Sequence, residues 1–134
     1  MKKIKSICII DDDPITVFGI KKILKSVIEC DNVSSYKNGK EAIDGIRAKF
    51  EENNELPEII FLDINMPIMD GWQFLEEFIT IPMDQKVRVN IVTSSIDPLD
   101  KQKSDYFKQQ THHHIDFNNK PIKKDEISQI TTTA

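Results

Sequence analysis

The sequence contains no apolar stretch that approaches the length of a membrane-spanning helix, and this predicts a soluble protein. A secretory signal is lacking as well. The basic start at 1–5 resembles the first region of a signal peptide, but the apolar run that follows, 7–10, has only four residues before three aspartates. We therefore expect neither an export signal nor membrane insertion.

Cysteine is scarce, with Cys8 inside an apolar run and Cys30 near the end of a predicted helix. Two such cysteines without an export signal are typical of reduced thiols, so we expect a cytoplasmic location. Basic residues are not in excess, because the formal net charge at pH 7 is -4. This balance argues against nucleic acid as a direct partner.

Internal repeats and low-complexity linkers are also absent. At 134 residues we expect one domain, residues 1–134, large enough for a sheet with helices on both faces. After Pro121 there is room for one short helix only, so we expect no DNA-binding output domain in this chain.

Apolar runs alternate with helical patterns along the whole chain. The run 59–62 predicts a strand buried on both faces. Asp13 and Pro14 predict the start of the first helix, whose apolar stripe is expected to extend to Ile28, and 51–57 is expected to be a polar loop. The alternation predicts a doubly wound α/β fold with a five-stranded parallel sheet. The expected strands are about 6–10, 33–36, 59–62, 88–93 and 115–118, and the expected helices begin near 14, 40, 71, 98 and 124.

Carboxylates stand where two of these strands end. Asp63 follows the strand 59–62, and Asp11 and Asp12 follow the first strand. The carboxyl ends of parallel strands form the edge where open α/β sheets bind ligands, so one pocket can collect these acids. Carboxylates about 4 Å apart repel by roughly 4 kcal/mol at an effective dielectric near 20, so the pocket needs a cation or a proton. Oxygen ligands in a partly open shell favour Mg²⁺.

Four separated motifs resemble the receiver domain of the response regulator family, and the resemblance covers essentially the whole chain. It implies a flavodoxin-like version of the doubly wound fold and a phosphoacceptor signalling module of a two-component system. The motifs are Asp11-Asp12, Asp63 with Met66-Pro67 and Asp70-Gly71, Thr93, and Lys120-Pro121.

The resemblance implies a role for each residue of the pocket. Asp63 would accept a phosphoryl group from the histidine of a kinase or a histidine phosphotransfer protein, forming an acyl phosphate. Asp12, Asp63 and the backbone carbonyl of Asn65 would hold Mg²⁺, while Asp11 would act mainly through water. Lys120, with a long stem that reaches from the neighbouring strand, would neutralise a phosphoryl oxygen. The peptide bond between Lys120 and Pro121 is expected to be cis.

The resemblance also implies a switch. Thr93 would donate its hydroxyl to the phosphoryl group, although Ser94 is an alternative donor. Phe117 would then turn into the space that Thr93 leaves, although a buried strand phenylalanine is also an ordinary core residue. Asn65 and Ser95 match positions that line the path of the hydrolytic water. A downstream protein would read the face made by the fourth helix, fifth strand and fifth helix.

Other polar residues are explained without a site. Asp13 is expected to cap the first helix only. The three histidines at 112–114 are expected in a solvated turn, because only the first and third could share an ion and no nearby cysteine completes a ligand set. Met69 and Trp72 are expected to pack the third helix against its loop.

Two rival functions stay open. A phosphatase of the haloacid dehalogenase type also uses a strand-end aspartate with Mg²⁺, and Asp11 and Asp13 supply its Asp-x-Asp pair. However, Pro14 replaces the small or hydroxyl residue of that family, and Asp63 would have no role. A degenerate receiver would bind a partner without phosphorylation, which the intact acids and lysine argue against. Beyond its own phosphorylation and dephosphorylation, we expect no turnover of an independent substrate.

Overall fold

Five parallel strands form one sheet in the order β2-β1-β3-β4-β5 in a computed structural model, which describes residues 1–133. The predicted five-stranded parallel sheet is confirmed. Within the described residues, no helix combines the length and apolarity that a membrane span requires. The elements are β1 (Lys2–Ile10), α1 (Pro14–Val27), β2 (Ile28–Tyr36), α2 (Gly39–Asn53), β3 (Ile59–Leu62), α3 (Gly71–Phe78), β4 (Arg88–Thr93), α4 (Pro98–Gln110), β5 (His114–Asn119) and α5 (Lys124–Thr133).

Two apolar cores cover the two faces of the sheet. One core joins strand residues to α2, α3 and α4, and the other joins them to α1 and α5. Alternate residues of β1 serve both cores, since Ile10 lies in the first and Ile9 in the second. All four residues of β3 are buried, as expected for a strand covered on both faces. The fold is therefore doubly wound, and in folds of this class the carboxyl ends of the strands form the edge where ligands bind.

Side-chain caps determine where the helices begin at this edge. Asp13 caps α1, and its carboxylate accepts a hydrogen bond from the backbone of Ile15 at 3.0 Å. Asp70 forms a capping box with Gln73 at the start of α3. The capping geometry predicted for Asp13 is confirmed.

The edge of the sheet near the amino terminus differs from the expectation. β1 begins at Lys2, and β2 begins at Ile28, because residues 2–4 pair with residues 28–30 in parallel register. Ile28 therefore belongs to β2 and not to the stripe of α1, and Cys30 lies within β2. Backbone pairing between β1 and β2 outweighs a weak side-chain pattern.

The predicted loop at 51–57 is also wrong in part, because α2 extends to Asn53. Both cysteines are free thiols.

His113 is buried and His114 begins β5, so the prediction of a solvated turn at 112–114 is wrong at these two residues. Only 4% of His113 is exposed, and its ring packs against Phe78 with the ring centroids 5.1 Å apart. Its Nδ1 accepts a hydrogen bond from the backbone N–H of Val87 at 2.9 Å, while its Nε2 has no hydrogen-bond partner among the described residues. Burial, followed by the charge of His112, lowers the pKa of His113 from 6.5 to about 4. The ring is therefore neutral in the folded protein at neutral pH.

We expect His113 to make the protein acid-sensitive. Because the folded pKa lies below the unfolded one, the full stability is present above pH 6.5 and is lost as the pH falls towards about 4. The loss amounts to about 3 kcal/mol at most. His113→Asn keeps an acceptor near Nδ1 and does not titrate, so its unfolding free energy should fall less over this range. Urea unfolding at several pH values measures the difference, and His112→Asn on the exposed neighbour is the control. Parallel curves for wild type and His113→Asn would contradict this assignment.

Candidate functional site

Three backbone hydrogen bonds place the candidate site residues at one edge of the sheet. Asp11, Asp63 and Lys120 each donate a backbone N–H to the last residue of a neighbouring strand, at 3.1, 2.8 and 2.8 Å respectively. The acceptors are the carbonyls of β2, β1 and β4. Each site residue thus extends a strand pairing by one position, and this fixes the backbone from which its side chain projects.

The acids predicted to share a pocket do lie together. Asp11, Asp12 and Asp63 offer carboxylate oxygens that lie within 4.8 Å of one another. Asp11 and Asp63 are buried, whereas Asp12 is exposed at the mouth. Asn65 is exposed in the loop that follows Asp63. These ligand atoms are all oxygens, so the cluster suits a small hard cation such as Mg²⁺.

Lys120 reaches into this acidic cluster. Its Nζ lies 3.0 Å from Asp11 Oδ2 and 3.7 Å from Asp63 Oδ2. The peptide bond to Pro121 is cis, as expected. One detail of the expectation is wrong: β5 does not neighbour β3, because β4 lies between them. The lysine stem therefore spans the width of a strand, which a shorter side chain could not do.

The carboxyl group of Asp63 is held in an environment that disfavours its charge. Burial is the largest cause and the charge of Asp11 the next, and together they raise the pKa of Asp63 from 3.8 to about 6. Lys120 and the backbone N–H of Ile64, which donates to Oδ1 at 2.9 Å, oppose that rise. For Lys120, burial lowers the pKa, but the hydrogen bond and charge of Asp11 outweigh it and leave the pKa raised. One ammonium group therefore compensates only part of the negative charge.

The predicted switch residues lie on β4 and β5. Thr93 is fully buried, and its Oγ1 accepts a hydrogen bond from the backbone N–H of Ser95 at 3.1 Å. Ser94, the alternative hydroxyl, is exposed. Phe117 is half-buried and packs against the core under α4, and Lys101 Nζ lies 5.9 Å from the centre of its ring.

The sequence placed Gly71 in a motif but did not predict its structural role, and it did not point to Ile68. A Cβ on Gly71 would lie 2.4 Å from the carbonyl oxygen of Asp63, so only glycine lets α3 begin this close to the strand end. Ile68 has φ 69, a backbone conformation that is strained for a β-branched residue, and its side chain is exposed. The Asp70-Gly71 pair was a visible signal for the first feature, whereas the sequence carries no signal for the second.

Asp100 was also missed, because acids in the first turn of a helix are common. Its carboxylate accepts hydrogen bonds from Ser95 Oγ and from the indole Nε1 of Trp72, the latter at 3.1 Å. Trp72 stacks on Phe107 as well, with ring centroids 5.7 Å apart. Trp72 is a packing residue as expected, although its stacking partner belongs to α4 and not to the loop before α3, and its polar atom links α3 to α4.

The family model described as the response regulator receiver domain matches residues 7–132. The chain belongs to this family. Receiver domains combine this five-stranded fold with an acidic pocket, and the present chain has both.

Known relatives agree with the assignment. A two-component response regulator from Cytophaga hutchinsonii is 28% identical, with a TM-score of 0.81 over 98% of this chain and 97% of that chain. The phosphorylated cyanobacterial phytochrome response regulator RcpA is 25% identical, with a TM-score of 0.73 over 96% and 89%. A protein-glutamate methylesterase/protein-glutamine glutaminase from Methanococcoides burtonii is 39% identical over 47% of this chain. That match spans only 16% of the relative's length.

We expect Asp63→Asn to stabilise the receiver domain when divalent cations are absent. The raised pKa means that the ionised carboxylate destabilises the fold above pH 6, so the amide should add about 1 to 2 kcal/mol near neutral pH. The gain should shrink between pH 6 and 3.8, where the carboxyl group becomes protonated. Urea unfolding in a chelator measures it, with Asp12→Asn at the exposed mouth as the control. Equal or lower stability of Asp63→Asn near neutral pH would refute this interpretation.

Proposed function

We propose that this receiver domain is a phosphoacceptor module that takes a phosphoryl group on Asp63 and thereby changes how it binds a protein partner. The observation that carries the proposal is the meeting of three carboxylates and one ammonium at a single sheet edge. The structure of the phosphorylated relative RcpA supports it, because that protein shares this fold over most of its length.

The acidic cluster would bind Mg²⁺. Asp12, Asp63 and the backbone carbonyl of Asn65 are the proposed ligands, and Asp11 would act mainly through water. The bound ion would supply neutralisation of phosphoryl oxygens, which is the main catalytic need in phosphoryl transfer. The donor set fits, since all its atoms are oxygens and its charge is only partly compensated by Lys120.

The proposed reaction is an in-line transfer. A carboxylate oxygen of Asp63 attacks the phosphorus of a phosphohistidine on the donor protein, and the P–N bond breaks. The leaving nitrogen keeps the bonding pair and takes a proton from solvent. The N–H of Ile64 fixes Oδ1 of Asp63, and Lys120 neutralises an oxygen of the transferred group.

Phosphorylation would move the switch residues. We propose that Thr93 turns its hydroxyl towards a phosphoryl oxygen and that Phe117 moves into the vacated space. The face formed by α4, β5 and α5 would then bind a downstream protein. The donor would be a histidine kinase or a histidine phosphotransfer protein in the cytoplasm. That the chain acts without an attached output domain stays a prediction.

A specific contact weighs against the phosphatase alternative. The second acid of its Asp-x-Asp pair would be Asp13, whose carboxylate accepts hydrogen bonds from the backbone of Ile15 and the hydroxyl of Thr16, at 3.0 and 2.9 Å. These bonds cap α1 and occupy both oxygens of the group that would have to act as an acid. The cap role accounts for Asp13 fully.

The phosphoacceptor role is tested by intact-mass spectrometry after incubation with acetyl phosphate and Mg²⁺. We expect one added phosphoryl group per chain in wild type and none in Asp63→Asn. Asp13→Asn keeps a capping oxygen and is the matched control, so it should still form the adduct. A wild-type protein without any adduct would move the assignment to a degenerate receiver. Sustained turnover of a small phosphate ester that Asp13→Asn abolishes would favour the phosphatase.

Removal of the exposed acid should raise the requirement for Mg²⁺. Asp12→Ala deletes a proposed ligand outside the core, so the fold should persist while adduct formation needs at least about tenfold more Mg²⁺. The measurement is adduct yield during a Mg²⁺ titration, with Asp13→Asn again as the control. An unchanged titration midpoint in Asp12→Ala would remove Asp12 from the ligand set.

A further inference from the structure

A hydrogen-bonded network connects the strand end of Thr93 to helix α4. Its centre is Asp100 in the first turn of α4, whose two carboxylate oxygens accept from Ser95 Oγ and from the indole of Trp72. The backbone N–H of Ser95 donates in turn to Thr93 Oγ1 at 3.1 Å. One carboxylate therefore joins α3, α4 and the loop that follows β4.

Ser95 has little freedom to move alone within this network. Its Oγ also accepts a hydrogen bond from the backbone N–H of Asp97 at 3.2 Å, and its carbonyl accepts from the side chain of Asn119 at 3.4 Å. Asn119 immediately precedes Lys120. The network therefore contacts Thr93 directly and also the residue next to Lys120. A shift of the loop would have to break several of these bonds together.

We propose that Asp100 is a positioning residue that holds Thr93 in its resting orientation and thereby limits how readily the receiver domain adopts its phosphorylated conformation. The inference rests on the proposed function, in which Thr93 turns towards the phosphoryl group. Such a turn takes the acceptor away from the N–H of Ser95. The loop after β4 can move with Thr93 and keep this hydrogen bond only if Ser95 Oγ breaks its own hydrogen bond to Asp100.

The charge of Asp100 makes it a strong anchor. Hydrogen bonds to a carboxylate are stronger than those between neutral groups, and this carboxylate also lies in the first turn of α4, where the helix dipole favours negative charge. The resting conformation is thus stabilised by an interaction that the switched conformation loses. When a ligand binds only the switched conformation, its apparent affinity is proportional to the fraction of molecules in that conformation. A rarely populated switched conformation therefore weakens the observed binding.

Trp72 offers a direct optical signal of the network, because it is the only tryptophan in the sequence. Its indole N–H donates to Asp100 in the resting protein. Its emission should therefore change when the loop releases Asp100. We expect the emission of wild type to shift on addition of beryllofluoride, a phosphoryl mimic, with Mg²⁺. Asp100→Asn should show part of this shift before any addition.

The test compares binding of beryllofluoride in the presence of saturating Mg²⁺, by titration calorimetry on the full chain. Asp100→Asn keeps the size of the side chain but leaves one oxygen for two donors, so we expect binding about tenfold tighter than in wild type. Trp72→Phe keeps an aromatic ring against Phe107 and removes the N–H, so it should tighten binding to a smaller degree. Glu76→Gln makes the same change of charge at an exposed position of α3 and should leave the affinity unchanged. Affinity for Mg²⁺ alone should be the same in all four proteins.

The outcomes separate this inference from the proposed function. Failure of wild type to bind beryllofluoride would overturn the proposed function itself. Binding by wild type with equal or weaker binding by Asp100→Asn and Trp72→Phe would overturn the role of Asp100 alone. A merely structural role would lower the melting temperature of Asp100→Asn without tightening the binding. Tighter binding in both variants, with Glu76→Gln unchanged, would support the positioning role.

Discussion

Repulsion among three carboxylates at one edge of the sheet is the constraint around which this receiver domain is built. Asp11 and Asp63 are both buried, and the fold keeps them side by side because β1 and β3 are hydrogen-bonded neighbours. Lys120 relieves only part of the repulsion. The remaining negative charge favours a cation. The two apolar cores stabilise the fold and so keep the acids together despite their repulsion. A bound cation would therefore reduce the repulsion within a cluster that the fold has already assembled.

The rest of the fold can be understood as support for that edge. Apolar residues on both faces of β3 anchor the strand, and Gly71 allows α3 to begin directly against the carbonyl of Asp63. In the loop after Thr93 the connection is made by hydrogen bonds. Ser95 bonds to Thr93 and to Asp100, and it thereby connects the site to α4. The edge thus has a firmly held carboxylate, Asp63, on one side and a hydrogen-bonded connection to α4 on the other. Under the proposed function, the acceptor would stay in place while the connection to α4 changes between two states.

Much of this arrangement was predictable from sequence because its signals are local. Apolar runs that end in acids marked β1 and β3, and Asp13-Pro14 marked the start of α1. Long-range pairing was less accessible: the extension of β1 and β2 to Lys2 and Ile28 depends on partner strands and not on a side-chain pattern. The same limit explains the misplacement of β5 beside β3. It also explains the unexpected burial of His113, whose ring nitrogen Nδ1 accepts a hydrogen bond from the backbone N–H of Val87, a residue distant in sequence. The role of Asp100 could not be predicted, because its two partners, Trp72 in α3 and Ser95 in the loop after β4, come from other parts of the fold.

The acidic cluster and its lysine come from distant parts of the chain, with Asp11 near the beginning and Lys120 close to the end. During synthesis on a ribosome, Asp63 emerges well before the segment that carries Lys120, and β5 is the last strand to join the sheet. An incomplete nascent polypeptide that stops before β5 therefore has the three carboxylates without the ammonium group that partly compensates their charge. The electrostatic balance of this edge is complete only after β5 has been synthesised and has paired with β4.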